Sequence, residues 1–262
     1  MFPLFAQVPS PSLVLILFFS FLVPAITMLT TPSRTPLVPF AVGTYWIYKD
    51  NDQECNELTM RIRRRTVLDS FSRGTFSFAL IESRNLVEHR RSLDTGAEDC
   101  RPKQYGEIDS SVRSPATYTI SLIKDNCQYY DELDLNDGQN KKSTMDLWIA
   151  LKSGKDKIAE PSEFEITMKV PARVGASWDN CDHPDGWYCW RVESAERKLL
   201  QFGSDLEVTE YSVVYRSCPA DLTRAFVPGV GVTKVEYHHH GTIEEQDRRL
   251  IDFQIGPSTG CL

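Results

Sequence analysis

Hydrophobic and polar side chains alternate along most of the chain beyond residue 40, and a period of two is typical of β-strands that bury one face. Turn-forming residues interrupt the alternation at short intervals. The predicted strands are residues 44–49, 58–68, 75–81, 118–123, 145–151, 163–170, 190–194, 204–216, 231–239 and 248–255. Only residues 195–200, "AERKLL", have the composition of a short helical turn. The pattern therefore predicts an all-β protein with few short helices, folded as a curved antiparallel sheet, a sandwich or a partly open barrel.

One short pattern occurs twice, as "PFAVGTYW" at residues 39–46 and as "PARVGASW" at residues 171–178. Both copies read Pro-x-x-Val-Gly-x-x-Trp. Proline confines the incoming chain, glycine permits a tight turn, and tryptophan anchors the following strand in the core. We predict a single β domain at residues 40–262, and the repeat raises the alternative that this domain consists of two related halves, 40–170 and 171–262.

An apolar stretch at residues 13–29, "LVLILFFSFLVPAITML", precedes the β pattern. Its length suits the hydrophobic region of a secretory signal peptide better than a membrane-spanning helix, which needs about 20 apolar residues. We therefore predict a signal peptide at residues 1–29, a linker at 30–39 and a secreted or periplasmic protein. No lysine or arginine precedes Arg34, which leaves an uncleaved N-terminal anchor, with membrane contact through that segment alone, as the alternative.

Seven cysteines are spread singly along the chain, and no two of them form a C-x-x-C pair. In an exported chain such cysteines are typical disulfide partners. Cys181 and Cys189 flank the segment "DHPDGWY", whose Pro-Asp-Gly turn would bring them together, so we predict a disulfide between them. The odd count leaves one thiol over, and we assign it to Cys127.

The formal net charge of −7 does not suit a protein that binds nucleic acid, because phosphate groups are neutralised by a basic surface. The one basic run is "RIRRR" at residues 61–65. Alternation predicts that Arg61, Arg63 and Arg65 lie on the solvent face of a strand, where charge discourages edge pairing. We therefore expect no nucleic-acid partner.

Three consecutive histidines, His238, His239 and His240, end an apolar run. In a strand, His238 and His240 would point to one face and could bind a metal with a third ligand such as Glu236, Glu244 or Glu245. This is the basis of one alternative function, a metal-dependent hydrolase. A turn signal follows at once and the next predicted strand runs back, so the pattern favours the exposed tip of a β-hairpin without a metal cofactor.

Catalytic motifs are absent from the sequence: it contains no nucleophile elbow, phosphate-binding loop or zinc-protease motif. We therefore predict a non-enzymatic protein without cofactors, whose sheet presents an apolar face to a lipid-like ligand, a lipoprotein or another envelope protein. The candidate ligand-binding residues are Trp46, Phe76, Phe78 and Trp148.

The loop between Trp178 and Trp190 indicates a different binding function. It carries Asp179, Asp182 and Asp185 among tryptophans. Acidic side chains beside tryptophan rings suit a sugar-binding cleft, so a carbohydrate-binding module is a further alternative. Tryptophans next to a disulfide also serve as core packing, and the sequence favours that interpretation.

The C-terminal segment "FVPGVGVTKVEYHHHGTIEEQDRRLIDFQI", preceded by "VGASW", resembles the end of a group of uncharacterised exported bacterial β proteins. In that group an aromatic-x-Pro-Gly-Val-Gly corner leads into a final hairpin. The group is similar to the domain-of-unknown-function 3108 and periplasmic lipoprotein-carrier-like proteins. The resemblance covers residues 174–255 and implies a curved antiparallel sheet without catalytic residues. This chain departs from it in the Cys181–Cys189 insertion, the three histidines and residues 96–157.

Overall fold

The computed structural model describes most of the chain beyond residue 35. The described residues are 36–54, 57–92, 108–109, 115–126, 128–133, 144–155, 166–170, 172–179, 181, 188–202, 204–217, 220–239 and 244–257. The predicted signal peptide and the first part of the predicted linker lie outside them. All strands belong to one compact unit, Thr35–Leu262. Within these ranges no helix is both long enough and apolar enough to cross a membrane.

The described ranges contain thirteen strands and one helix. In chain order they are β1 (Tyr45–Glu54), β2 (Glu57–Arg73), β3 (Phe76–Ser92), β4 (Ile108–Asp109), β5 (Thr117–Lys124), β6 (Gln128–Leu133), α1 (Thr144–Ser153), β7 (Met168–Lys169), β8 (Ser177–Asp179), β9 (Cys189–Phe202), β10 (Ser204–Arg216), β11 (Ala220–Val227), β12 (Gly231–His239) and β13 (Glu244–Gln254). The sheet order is β7-β6-β5-β3-β2-β1-β13-β12-β11-β10-β9-β8, with β4 paired to β3. The strands form a single curved antiparallel sheet that does not close into a barrel, which confirms the predicted all-β class.

The chain begins at the centre of the strand order and continues to one edge. It resumes at the opposite edge and returns to the centre. Strands β1 to β7 lie on one side of the β1–β13 pairing, and β8 to β13 lie on the other side. The pairing runs along the whole of β1, from Tyr45 opposite Gln254 to Glu54 opposite Glu244. The first and last strands therefore meet at the centre and hold the two sides of the sheet together.

The sheet curls so that strands far apart in its order meet in a shared interior. The rings of Tyr129 on β6 and Phe226 on β11 have centroids 6.0 Å apart. Near the two edges, the indole N–H of Trp178 on β8 donates to the carbonyl of Ile166, just before β7, at 2.8 Å. We call the enclosed core the interior cluster. Its buried members are Leu37, Val38, Trp46, Tyr48, Val67, Ala79, Ile81, Ile123, Tyr129, Met168, Trp178, Trp190, Val192, Val213, Phe226 and Val232.

The prediction of a strand at residues 145–151 is wrong, because this segment lies in the helix α1. Leu147, Trp148 and Leu151 are the buried residues of the helix, at spacings that place them on one side of it. A short apolar run is compatible with either a strand or a buried helix, so periodicity alone does not separate the two. The surroundings of the segment decide in favour of the helix.

Helix α1 packs on the face of the sheet opposite to the interior cluster. We call this second core the helix cluster, and its buried members are Phe78, Leu80, Ile120, Leu122, Tyr130, Leu147, Trp148 and Leu151. Ala79 and Ile81 alternate with Phe78 and Leu80 along β3 but belong to the interior cluster. The strand is therefore buried on both faces where the helix covers it, as expected for a sheet layer between two cores.

The predicted helical turn at residues 195–200 is also wrong, because these residues form part of β9. They have good helix propensity, but each pairs with β10, as Glu196 does with Glu210 and Leu200 with Leu206. An ion pair between Lys198 and Glu210 supports the same register. The hairpin predicted from residues 58–68 and 75–81 is confirmed as β2–β3, with both strands longer than predicted. Strand β11 was not predicted, because its polar first half interrupts the alternation.

Candidate functional site

A row of aromatic and apolar side chains crosses five neighbouring strands, β8 to β12. Its members are paired directly from strand to strand, in the order Trp178, Trp190, Tyr215, Leu222 and Tyr237. Residues that pair directly across strands point to the same face of a sheet. Trp178 and Trp190 belong to the interior cluster, so the whole row lies on the interior face. We call these five residues the aromatic row.

A pocket with a volume of about 310 Å³ opens along the aromatic row. It is lined by Asp179, Trp190, Tyr215, Ser217, Ala220, Leu222 and Tyr237. The volume lies at the small end of the range for ligand clefts, about 300–1,000 Å³. Among the described lining residues, four present aromatic or aliphatic surface of substantial size, and these described residues carry one carboxylate and three hydroxyl groups. This mixture of apolar walls and a few polar groups is typical of a small-ligand site.

Trp190 forms the buried wall of the pocket, with 1% of its surface exposed. Its ring stacks on Trp178 at a centroid distance of 6.3 Å and tilts against Tyr215 at 5.1 Å. The guanidinium of Arg224 lies 4.3 Å from the centroid of the Trp190 ring. Because the ring is held on several sides, this wall of the pocket is preformed.

The indole N–H of Trp190 is buried and has no hydrogen-bond acceptor among the described residues. The three other tryptophans in the described ranges differ in this respect. Trp46, Trp148 and Trp178 each donate their indole N–H to a carbonyl or carboxylate oxygen at 2.7–3.1 Å. A buried donor without an acceptor costs free energy. Trp190 is therefore the tryptophan to which a polar ligand could supply a missing acceptor.

A disulfide between Cys181 and Cys189 borders the pocket and confirms the predicted pairing. Asp179, which lines the pocket, lies opposite Cys189 in the β8–β9 ladder. Asp179 and Tyr188 both have left-handed backbone conformations, with φ of +71° and +60°, which are uncommon for residues other than glycine. Asp179 lies two residues before the disulfide and lines the pocket beside it. The five other cysteines, including Cys127, lie outside the described residues.

The Asp179 carboxylate also acts on a neighbouring phenol. Burial raises the pKa of Tyr130, and the negative charge of Asp179 raises it further. The Tyr130 hydroxyl donates to the side-chain oxygen of Gln128 at 2.8 Å. Tyr130 therefore stays protonated in neutral solution and places no second negative charge beside Asp179.

The structure does not bring the four predicted ligand-binding residues together. Trp46 belongs to the interior cluster and donates its indole N–H to the Val230 carbonyl at 2.7 Å. Phe78 and Trp148 belong to the helix cluster on the other face of the sheet, and Phe76 packs against that cluster. None of the four lines the pocket on the aromatic row.

The predicted carbohydrate-binding loop is described only in part. Asp182, Asp185 and Trp187 lie outside the described residues. Asp179 and Trp190, at the two ends of the loop, both line the pocket. The structure therefore joins an acidic and an aromatic residue of this loop in one concave site.

Sequence reasoning missed Tyr215, Leu222 and Tyr237 as site residues. Each occurs in an ordinary stretch of strand, and nothing local distinguishes it from a core residue. Their proximity depends on the register of three strand pairings, and a shift of one residue would turn each side chain to the opposite face. The available signal was the presence of Tyr215 and Tyr237 in two consecutive predicted strands, 204–216 and 231–239.

His238 and His239 end β12, where the hairpin interpretation placed them. His238 pairs with Glu245 at the end of the β12–β13 hairpin, and its Nδ1 atom is 3.8 Å from the Glu245 carboxylate. Both side chains are more than half exposed. His240 lies outside the described residues, and in the described ranges no three His, Cys, Asp or Glu side chains are grouped to hold a metal. The hydrolase built on His238 and His240 stays a prediction.

The prediction that Arg61, Arg63 and Arg65 lie on the solvent face is wrong, and the exposed arginine of this run is Arg64. Strand β2 lies between β1 and β3, and Arg65 is buried. Asp50 on β1 is fully buried and forms ion pairs with Arg63 and Arg248, both at 3.1 Å. The arginines face the interior side of the sheet because carboxylates on the neighbouring strands neutralise them there.

A second set of charges extends this network along β2. Arg61 contacts the carboxylates of Asp52 and Glu88. Burial by itself would raise the pKa of Glu88, but its hydrogen bond from Arg90 and the charges of Arg61 and Arg90 outweigh burial and hold the pKa below its usual value. The basic run is thus part of an internal ion-pair network.

Comparison with known proteins finds no matching family model and no matching curated protein. Similar solved structures include a protein described as exported, with a YmcC-like fold, from Bacteroides fragilis NCTC 9343, which is 8% identical with a TM-score of 0.39 over 84% of this chain and 99% of that chain. A protein described as a lipoprotein, from Parabacteroides distasonis ATCC 8503, is 10% identical with a TM-score of 0.36 over 84% and 99%. A β-barrel-like protein of the domain-of-unknown-function 1849 group, from Brucella abortus, is 7% identical with a TM-score of 0.28 over 83% and 99%. No binding, activity or location is transferred from them, and membership of the domain-of-unknown-function 3108 group stays a prediction.

Proposed function

We propose that this protein is an exported binding protein without catalytic activity, and that the pocket on the aromatic row is its binding site. The main support for the proposal is that Trp190, Tyr215 and Tyr237 line one preformed pocket. These residues come from three strands that are joined only by the register of the sheet. Concave sites with aromatic walls and a few polar groups are the usual form of small-ligand sites.

The disulfide beside the pocket supports export. Disulfides form and persist in oxidising compartments such as the bacterial periplasm or the extracellular space. The Cys181–Cys189 bond agrees with the signal-peptide composition of residues 13–29. We therefore place the folded domain outside the cytoplasm.

The chemistry of the lining supports binding rather than catalysis. Ser217 donates its hydroxyl to the Ala220 carbonyl at 3.0 Å, so this hydroxyl is engaged in a turn. A nucleophilic serine needs an adjacent base, and the described lining contains no histidine or lysine. Asp179 is its single carboxylate, whereas acid–base hydrolysis of glycosides uses two.

Three classes of probe test the proposal on the isotope-labelled, secreted chain by NMR. They are cis-parinaric acid for a lipid-like ligand, tetramethylammonium for an organic cation, and four trisaccharides (cellotriose, chitotriose, mannotriose and xylotriose) for a sugar. We expect at least one class to shift the backbone amides of Tyr215 and Tyr237 saturably and to be recovered chemically unchanged.

Matched variants locate the response. Tyr237→Ala removes one wall of the pocket and should weaken the response strongly. Tyr118→Ala, at an exposed tyrosine on β5, should leave it unchanged. If no class of probe shifts the pocket amides, or if Tyr237→Ala has no more effect than Tyr118→Ala, the proposed site is wrong.

A further inference from the structure

We infer that the ligand of this pocket is a sugar, whose ring stacks on the aromatic row and whose hydroxyl groups bond to the polar groups of the lining. The inference rests on the proposed function, because it names the ligand class of the same pocket. It depends on three features that occur together: aromatic surface, a buried donor that lacks an acceptor, and a carboxylate at the edge.

Stacking surface comes from Tyr215 and Tyr237. Both side chains are partly exposed, and they flank Leu222 in the aromatic row. They lie two strand spacings apart, which is about 10 Å. A flat ligand laid across the row would therefore contact both tyrosines and the leucine between them. The C–H face of a pyranose ring is apolar and suits such a surface, while its edge carries hydroxyl groups.

The polar groups of the lining complement hydroxyl groups in both directions. The indole N–H of Trp190 can only donate, and it has no acceptor among the described residues. The ionised carboxylate of Asp179 can only accept, and the phenol groups of Tyr215 and Tyr237 can do either. A sugar hydroxyl both donates and accepts, so it can accept a hydrogen bond from the Trp190 indole and is compatible with the other polar groups of the lining.

An organic cation fits the same pocket less well, although aromatic side chains and a carboxylate also bind cations. The Arg224 guanidinium already lies 4.3 Å from the Trp190 ring centroid and places a positive charge against this wall. A quaternary ammonium group also carries no acceptor for the Trp190 indole N–H. Charge and hydrogen bonding both favour a neutral hydroxylated ligand.

A lipid-like chain fits less well for another reason. It offers no acceptor to the indole N–H of Trp190, the buried donor of the lining that has no partner among the described residues. A buried donor that stays without an acceptor disfavours binding of such a ligand. A sugar, in contrast, can form hydrogen bonds with the polar groups of the lining.

The Trp190 indole provides a direct readout. The labelled chain is screened on a printed glycan array and then titrated by NMR with the glycans that bind and with the four trisaccharides. On saturation we expect the indole N–H resonance of Trp190 to move downfield, because it gains an acceptor. The indole N–H groups of Trp46, Trp148 and Trp178 already have acceptors. Their resonances should move much less and serve as internal controls.

Three variants separate the contributions to sugar affinity. Tyr237→Phe keeps the ring and removes one hydroxyl, so the affinity should fall roughly three- to tenfold. Tyr237→Ala also removes the stacking surface, so the affinity should fall by more than about tenfold. Asp179→Asn keeps an acceptor and removes the charge, so sugar affinity should stay within about threefold of wild type while any cation affinity falls further. Thermal unfolding of each variant confirms that it is folded.

The outcomes distinguish this inference from the function on which it rests. If cis-parinaric acid or tetramethylammonium occupies the pocket and no glycan does, the sugar inference is overturned and the proposed function stands. A glycan that binds without moving the Trp190 indole, or whose affinity is the same in Tyr237→Ala, binds elsewhere and overturns the inference as well. If no probe of any class binds the pocket, both are wrong.

Discussion

Gly43 and Gly175 have the same backbone conformation, with φ of +86° and +87°, in the two copies of the repeated sequence pattern. In the first copy the Gly43 N–H donates to the Val67 carbonyl at 2.9 Å, and in the second the Gly175 N–H donates to the Val192 carbonyl at 2.8 Å. Each glycine precedes a buried tryptophan by three residues. The repeated pattern therefore encodes a repeated local structure.

The two copies of the pattern lie at different positions in the sheet. Trp46 lies in β1 at the centre of the strand order, whereas Trp178 lies in β8 at an edge. Their indole N–H groups donate to different elements, the turn after β11 and the segment before β7. The pattern thus determines the turn and the burial of the tryptophan, while the position in the sheet follows from strand pairing.

Replacement of Gly43 or Gly175 by alanine should lower the free energy of unfolding by a similar amount. A Cβ atom at Gly43 would come no closer than 3.7 Å to Pro257, and one at Gly175 would meet no atom within 4 Å. The cost therefore comes from the left-handed conformation, about 1–2 kcal/mol for an alanine. Urea unfolding of Gly43→Ala and Gly175→Ala measures both losses. A free energy of unfolding equal to wild type in either variant would contradict this account.

Gly256→Ala should lower the free energy of unfolding more than the other two variants, because there is no room for a Cβ atom at this position. A Cβ atom at Gly256 would lie 2.2 Å from the Val42 carbonyl oxygen and 2.6 Å from the Thr44 nitrogen. These are backbone atoms of the first repeat turn, so relief requires movement of the chain. We expect a loss of about 3 kcal/mol in the free energy of unfolding, compared in the same urea series. A loss smaller than that of Gly43→Ala would show that the end of β13 moves freely away from the turn.

Removal of the Asp50 carboxylate should destabilise the sheet strongly. Asp50 is fully buried between Arg63 and Arg248, so Asp50→Ala leaves two positive charges without their partner. Breaking a buried ion pair in this way costs about 3–5 kcal/mol. Glu82→Gln, which removes a carboxylate paired with the largely exposed Arg84, is the control and should cost less than about 1 kcal/mol. Equal losses in chemical unfolding of the two variants would argue against a structural role for the internal network.

Attachment of α1 to the sheet should depend on pH through Asp69. Burial alone would raise the pKa of Asp69, but hydrogen bonds from Lys152 and Trp148 and the charge of Lys152 together lower it below the usual 3.8. A carboxylate with a lowered pKa in the fold stabilises the protein above its unfolded pKa, and this contribution is lost as pH falls through the folded pKa.

The variant Asp69→Asn isolates this contribution. Its melting temperature should lie below that of wild type at pH 7, and the two curves should converge as pH falls through the folded pKa of Asp69, because the wild-type carboxyl then becomes protonated as well. Asp247→Asn, at a partly buried carboxylate that pairs with the exposed Arg249 and does not contact α1, controls for general loss of charge. A difference between Asp69→Asn and wild type that does not change with pH would contradict the ion-pair explanation.

Thiol counting tests the disulfide and the compartment together. Without reductant, the denatured secreted protein should show at most five reactive thiols out of seven, because Cys181 and Cys189 are joined. The double variant Cys181→Ser/Cys189→Ser should lose about 2–3 kcal/mol of stability, as expected for a short disulfide loop. Reaction of all seven thiols would contradict both the bond and export.

The sequence by itself determined the features that arise between near neighbours. Alternation predicted the all-β class, the turn around "PDG" predicted the Cys181–Cys189 bond, and the turn after the histidines predicted the β12–β13 hairpin. These features depend on backbone preferences and on contacts within about ten residues, which a linear pattern contains.

Only the tertiary structure decided which side chains meet. The segment around Trp148 became a helix where it could bury that indole against Asp69 on β2, 79 residues away. The arginines of β2 turned inward because β1 and β3 place carboxylates beside them. Tyr215 and Tyr237 reached the wall of Trp190 through the register of β9 to β12. Burial, charge pairing and the pocket all depend on residues brought together across the sheet, and alternation along a strand does not specify its neighbours or its register.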